Sequence, residues 1–126
     1  MPNLFTPRAI LVTGGAGFIG ANFINHFLPE NPGCRVVNLD MLTYAGNLKN
    51  LTGVEKEPAY RFVRGDICDA ELVADILHGE RIEAVLHFAA ESHVDRSIAG
   101  PEIFVRTNVL GTQVLLEESR KYMEKR

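Results

Sequence analysis

The chain has 126 residues, 46% of them hydrophobic and 23% charged, and a formal net charge of −3. That is enough for one domain with a buried core, and its slight acidity argues against a nucleic-acid surface. No apolar run approaches the ~20 residues of a membrane span, and Met1 to Arg8 is too short and too broken by proline for a secretory leader, so the cytoplasm is the expected compartment.

Strand-like and helix-like segments alternate from the start. Arg8 to Thr13 reads as a first strand and Phe18 to Leu28 as an amphipathic helix, broken by Pro29, Pro32 and Gly33. Cys34 to Leu39 gives a second strand, and the polar stretch Thr43 to Gly53 has room for one short helical turn. Tyr60 to Val63 is a third strand, after which Asp69 caps a helix with Leu72, Val73, Ile76 and Leu77 on its apolar face and Gly79 at its end. Ala84 to Phe88 is a fourth strand, apolar on both faces as an interior parallel strand would be. Pro101 opens a last helix at its first turn, with Ile103, Val109, Leu110 and Val114 on its buried side and Gly111 at a close packing point. Such alternation predicts an α/β fold, a Rossmann-type parallel sheet in order 3-2-1-4 with helices on both faces.

The chemistry is expected at the carboxyl ends of the strands. Gly14, Gly17 and Gly20 stand three apart between the first strand and the first helix. The first would permit the tight turn, the second a phosphate's approach, and the third close packing of helix on strand. Free N–H groups at the helix N-terminus would then face a pyrophosphate. Asp40 closes the second strand about twenty residues on, where an acid accepts hydrogen bonds from ribose hydroxyls and repels a 2′-phosphate, favouring NAD over NADP. A strand-end aspartate also serves elsewhere as a helix cap. Asp66-Ile67 after the third strand fits an adenine amino group and ring face, or ordinary turn chemistry.

After the fourth strand, Ala89 and Ala90 leave room for a cofactor, and Glu91 to Ser97 form a polar cluster pointing toward a substrate. Its serine, histidine and aspartate suggest a hydrolase, but triad members come from separated positions, and no G-x-S-x-G elbow is present. Cys34 and Cys68 lack pairing or metal spacing and read as buried thiols, and the four histidines lack zinc-type spacing, so no metal is expected.

Thr13 to Gly20 resembles the extended short-chain dehydrogenase/reductase class. Within that class, Leu39 to Leu48, Gly65 to Asp69, His87 to Ile98 and Phe104 to Thr112 closely resemble the dTDP-glucose 4,6-dehydratases. Met41 departs from the lysine common in that family, at the adenosine end of the site. The resemblance implies that Phe18 and Ile19 contact the pyrophosphate of NAD and that Asp40, Met41, Leu42 and Thr43 contact the adenosine ribose. It implies adenine at Asp66 and Ile67, the nicotinamide side at Phe88, Ala89, Ala90 and Glu91, the cofactor again at Thr107, and the sugar nucleotide at Ser92. The implied reaction stores a hydride on NAD while the C4 hydroxyl is oxidised, loses water across C5 and C6, and returns the hydride to C6. The family's Tyr-x-x-x-Lys pair and Thr-Asp-Glu triplet do not occur here, so residues 1–126 are expected to be the NAD-binding part of a longer family fold, without its substrate domain and inactive alone. Tyr122, four residues before Arg126, is expected on the helix surface. The complete enzyme would take dTDP-glucose and form a homo-oligomer; a stand-alone NAD-binding module, or a related sugar-nucleotide dehydratase or epimerase, is the alternative.

Overall fold

The computed structural model describes residues 5–42, 47–89 and 101–125. Four parallel strands, β1 (Ala9–Thr13), β2 (Arg35–Asp40), β3 (Tyr60–Arg64) and β4 (Ala84–His87), form one sheet in order β3-β2-β1-β4. The order is the expected one. β1 is buried along its whole length, and β2 everywhere except Arg35. β3 and β4 are the outer strands of this sheet and only half-buried, β4 pairing with β1 alone among the described residues.

Helix α1 (Phe18–Glu30) covers one face, where Ala21, Ile24 and Leu28 meet Ile10, Val12 and Val36. Pro29 does not break this helix but lies inside it. A proline so near the end forfeits a single hydrogen bond, and Asn31 closes the helix, its N–H donating to the Leu28 carbonyl. On the other face, α2 (Ala70–Gly79) and the last helix pack over Leu11, Val37 and Leu39. The Asp69 side chain caps α2 by accepting from the Leu72 N–H, as expected. Gly79 remains helical, and the left-handed residue that turns the chain is Arg81, at φ 54°.

The last helix begins at Pro101 as α3 (Pro101–Val105), passes through a π-helical turn (Arg106–Gly111) and continues as α4 (Thr112–Lys125). That turn overturns two expectations. Regular spacing from Ile103 would bury position 110, but the wider turn advances the buried stripe by one residue. Gly111, Val114, Leu115 and Tyr122 face inward, while Val109 and Leu110 are exposed. Tyr122 is therefore not a surface residue; its ring meets His78 of α2 edge-on at 4.8 Å. Gly111 is the close packing point expected, since a Cβ there would collide with Ile67.

Candidate functional site at the carboxyl edge of the sheet

Parallel register sets the four strand ends in a row. Thr13 lies beside Leu39 on one side and His87 on the other, and Asp40 lies beside Arg64. The glycine turn, Asp40-Met41-Leu42, Asp66-Ile67 and Phe88-Ala89 therefore all emerge at one edge. Thr43, Ala90, Glu91 and Ser92 lie outside the described residues.

Gly14 has φ +69°, and a Cβ there would sit 2.6 Å from the Ala89 nitrogen, so both the turn and the neighbouring strand require glycine. A Cβ on Gly20 would strike the backbone of Gly14 and Gly15, which is the close helix–turn packing expected of the third glycine. The N–H groups of the turn itself are not free. Gly14 N donates to Leu39 O, Gly15 N to Asn38 Oδ1, Ala16 N to Asp40 Oδ2, and Gly17 N to Gly14 O. Anion-binding capacity thus passes to the helix. The first intrahelical bond runs from Ala21 N to Gly17 O, and Gly17 supplies no side-chain cap. The N–H groups of Phe18, Ile19 and Gly20 therefore have no carbonyl behind them within α1. They stand at the positive end of a 13-residue helix, and the Phe18 and Ile19 side chains project into solvent.

Asp40 is buried and caps no helix among the described residues. Its second oxygen, Oδ1, accepts from Leu42 N at 2.7 Å and holds Leu42 at φ 57°. Each carboxylate oxygen still has a lone pair for a ligand hydroxyl. Met41 is exposed. The 3-10 turn Leu48–Leu51 braces the glycine turn from outside, Asn47 N and Asn50 Nδ2 both donating to Ala16 O.

At the end of β3, Asp66 accepts from Cys68 N and from Arg106 on the π-turn, the latter at 2.9 Å. Partial burial alone would raise the Asp66 pKa, but the Cys68 and Arg106 hydrogen bonds together hold it below its ordinary value. The Ile67 side chain packs in the core under Gly111 rather than lining open space. Because the folded-state pKa of Asp66 is depressed, the ion pair stabilises the fold above the unfolded aspartate value of about 3.9 and is lost as pH falls below it. Urea titrations should show Arg106→Ala less stable than the wild type at pH 7, with the two converging in acid; a gap that persists at low pH would contradict this.

At the end of β4, His87 links the sheet to α4. The Thr112 hydroxyl donates to Asn108 O, so it accepts from His87 Nε2 at 3.0 Å. Nδ1 is then the bare nitrogen and accepts from the Thr13 hydroxyl at 2.6 Å, while Thr13 Oγ1 accepts from Ala89 N. Burial of ring atoms pushes the imidazole pKa down, although the residue stays open to solvent at the sheet edge. Phe88 rests on Phe23 of α1, and Thr107 is half-buried within the π-turn.

A family model described as GDP-mannose 4,6 dehydratase matches residues 11–126. The chain belongs to the GDP-mannose 4,6-dehydratase family. Within this dehydratase family it is 53% identical over 113 residues to a dTDP-glucose 4,6-dehydratase of Escherichia coli, a match covering 90% of this chain and 31% of that enzyme. The solved dTDP-glucose 4,6-dehydratase DesIV of Streptomyces venezuelae, with NAD bound, superposes with a TM-score of 0.84 at 53% identity, covering 90% of this chain and 36% of that one. A UDP-glucose 4-epimerase of Thermotoga maritima superposes at 0.78 with 39% identity, over 90% of this chain and 34% of that one. The chain thus spans about a third of the length of these members of the dehydratase family and its structural neighbours.

Sequence reasoning missed Asn38, Tyr60 and Arg106. For Asn38 a signal existed: one amide in the apolar run Val36-Val37-Asn38-Leu39, two residues before Asp40 and therefore on the same face of β2. Arg106 carried no such mark.

Proposed function

We propose that this chain is the NAD-binding part of a dTDP-glucose 4,6-dehydratase. The observation that carries the reading is the uncapped N-terminus of α1 beside the buried carboxylate of Asp40. An anion-binding helix end next to a hydroxyl-binding acid fits the pyrophosphate and ribose of a dinucleotide. The relatives add weight, since curated proteins 53% and 54% identical to this chain are dTDP-glucose 4,6-dehydratases and solved examples hold NAD. NAD, when bound, supplies a hydride acceptor for C4 of the sugar and a donor for C6.

The chain's own residues bind and orient. Phe18 and Ile19 offer backbone N–H groups to the pyrophosphate, and Asp40 takes the ribose hydroxyls, with Met41, Leu42 and Thr43 alongside. Asp66 meets the adenine edge, while Ile67 contributes through its backbone. Phe88, Ala89, Ala90, Glu91 and Thr107 border the nicotinamide half, and Ser92 the sugar nucleotide. The exposed apolar side chains of Val109, Leu116 and Met123 on the last helix support self-association. No helix among the described residues is long and apolar enough to cross a membrane.

A second reading, NAD binding without turnover by this polypeptide, is favoured by the absence of Tyr-x-x-x-Lys and Thr-Asp-Glu from its sequence. Each placed acid or base is worth roughly 10²–10⁴-fold in rate, so no 4-keto sugar should form when the chain is incubated with dTDP-glucose and NAD. Calorimetry should nevertheless show binding of NAD and much weaker binding of NADP. Sustained turnover would overturn the second reading, and equal affinity for the two dinucleotides would count against the role given to Asp40.

A further inference from the structure

The turn between β1 and α1 runs Gly14-Gly15-Ala16-Gly17 and has no polar side chain of its own to hold its N–H groups, only the buried methyl of Ala16. Two of its four N–H groups are held by backbone carbonyls and two by side chains, both from β2: Asn38 and Asp40. Asn38 is fully buried, and the turn sits directly on it, because a Cβ on Gly15 would collide with the amide and with Ile24. A buried primary amide has two faces of opposite character, and only one suits Gly15. An N–H can only donate, so the oxygen must point at Gly15, as it does at 3.0 Å. The NH₂ end must then find an acceptor elsewhere, and it finds the Tyr60 hydroxyl of β3 at 3.1 Å. Were the amide turned over, NH₂ would face N–H and both donors would be unsatisfied in a buried place.

We propose that Asn38, held in place by Tyr60, is a positioning residue for the pyrophosphate-binding turn. The Gly15 N–H fixes which end of the amide faces the turn, and Tyr60 satisfies the other end and so holds the amide in place. The amide fixes the turn so that the first N–H groups of α1 meet the cofactor ready-placed. Neither side chain touches the cofactor. The inference rests on the reading of this edge as an NAD site, and it adds a three-strand route by which β3 shapes a turn that follows β1.

The test uses Tyr60→Phe, because Asn38→Leu risks losing the fold. Amide hydrogen exchange of the whole chain would be followed residue by residue, and NAD affinity would be measured by calorimetry. In Tyr60→Phe the Gly15 amide should exchange several-fold faster, while Leu11 and Val12 in β1 keep their wild-type rates. NAD should bind about three- to tenfold more weakly, the worth of one hydrogen bond. Unchanged Gly15 exchange with unchanged affinity would overturn the proposal, and so would equal acceleration at Gly15 and Leu11, which marks a general loss of stability. A wild-type chain that binds no NAD would overturn the cofactor reading and the positioning role with it. Normal NAD binding by Tyr60→Phe overturns the positioning role alone.

Discussion

Gly14→Ala should destabilise the protein by about 2–5 kcal/mol and abolish measurable NAD binding. The backbone at Gly14 is left-handed, which costs an L-residue roughly 1–2 kcal/mol. The new methyl would also press on the backbone of Phe88 and Ala89. Neither can rotate aside as a side-chain tip could, and such overpacking typically costs about 1–3 kcal/mol. Relief requires β4 and the turn to part, which separates the two walls of the candidate site. Urea denaturation with dinucleotide titration on the same sample checks both effects. A variant within about 0.5 kcal/mol of the wild type that still binds NAD would show that the turn is not held as described.

Asp40→Ala should be nearly as damaging, and for two separable reasons. Its carboxylate satisfies the Ala16 N–H and the Leu42 N–H. Each donor left unsatisfied costs about 1–3 kcal/mol, and Leu42 would lose the partner that holds its left-handed backbone. The ribose contact adds a further loss seen only in binding. Asp40→Asn separates the two, since its amide oxygen can serve one N–H but its NH₂ cannot serve the other. Stability of the asparagine variant should fall between wild type and alanine variant, and its discrimination against NADP should shrink. If Asp40→Ala unfolds at the wild-type urea concentration, the carboxylate is not what holds the turn.

Local signals carried much of this fold. The switch from apolar runs to amphipathic runs located every strand among the described residues, and the parallel order followed from alternation, because crossovers of this kind permit few arrangements. The glycine spacing located the turn, and glycine proved necessary as expected at position 14 for the left-handed turn and at position 20 for close packing, while the clash of a Gly14 Cβ with Ala89 was not foreseen. What stayed hidden depends on non-local pairing. Asn38 and Tyr60 are 22 residues apart, and only the register of β2 on β3 brings amide and phenol together. The π-turn has no compositional mark, yet it decides that Gly111 rather than Leu110 faces Ile67. Tyr122, expected on the helix surface, is set against α2 by that same turn. Periodicity carries a helix face only as far as the helix stays regular. Nor does anything local reveal that two of the glycine turn's N–H groups are occupied by β2 side chains.

The placement of the dinucleotide at this edge is the central claim, and an amide NMR titration tests it most directly. A separate groove of about 500 Å³, lined by Leu28, Pro32, Val54 and Pro58, lies toward the opposite, amino-terminal ends of the strands and serves as an internal control. On addition of NAD, the amides of Phe18 and Ile19 should shift most, with those of Gly14, Asp40 and Asp66 following, while Val54 and Ala59 stay still. Shifts centred on Val54 and Ala59, or none at Phe18 and Ile19 at saturating NAD, would contradict the account.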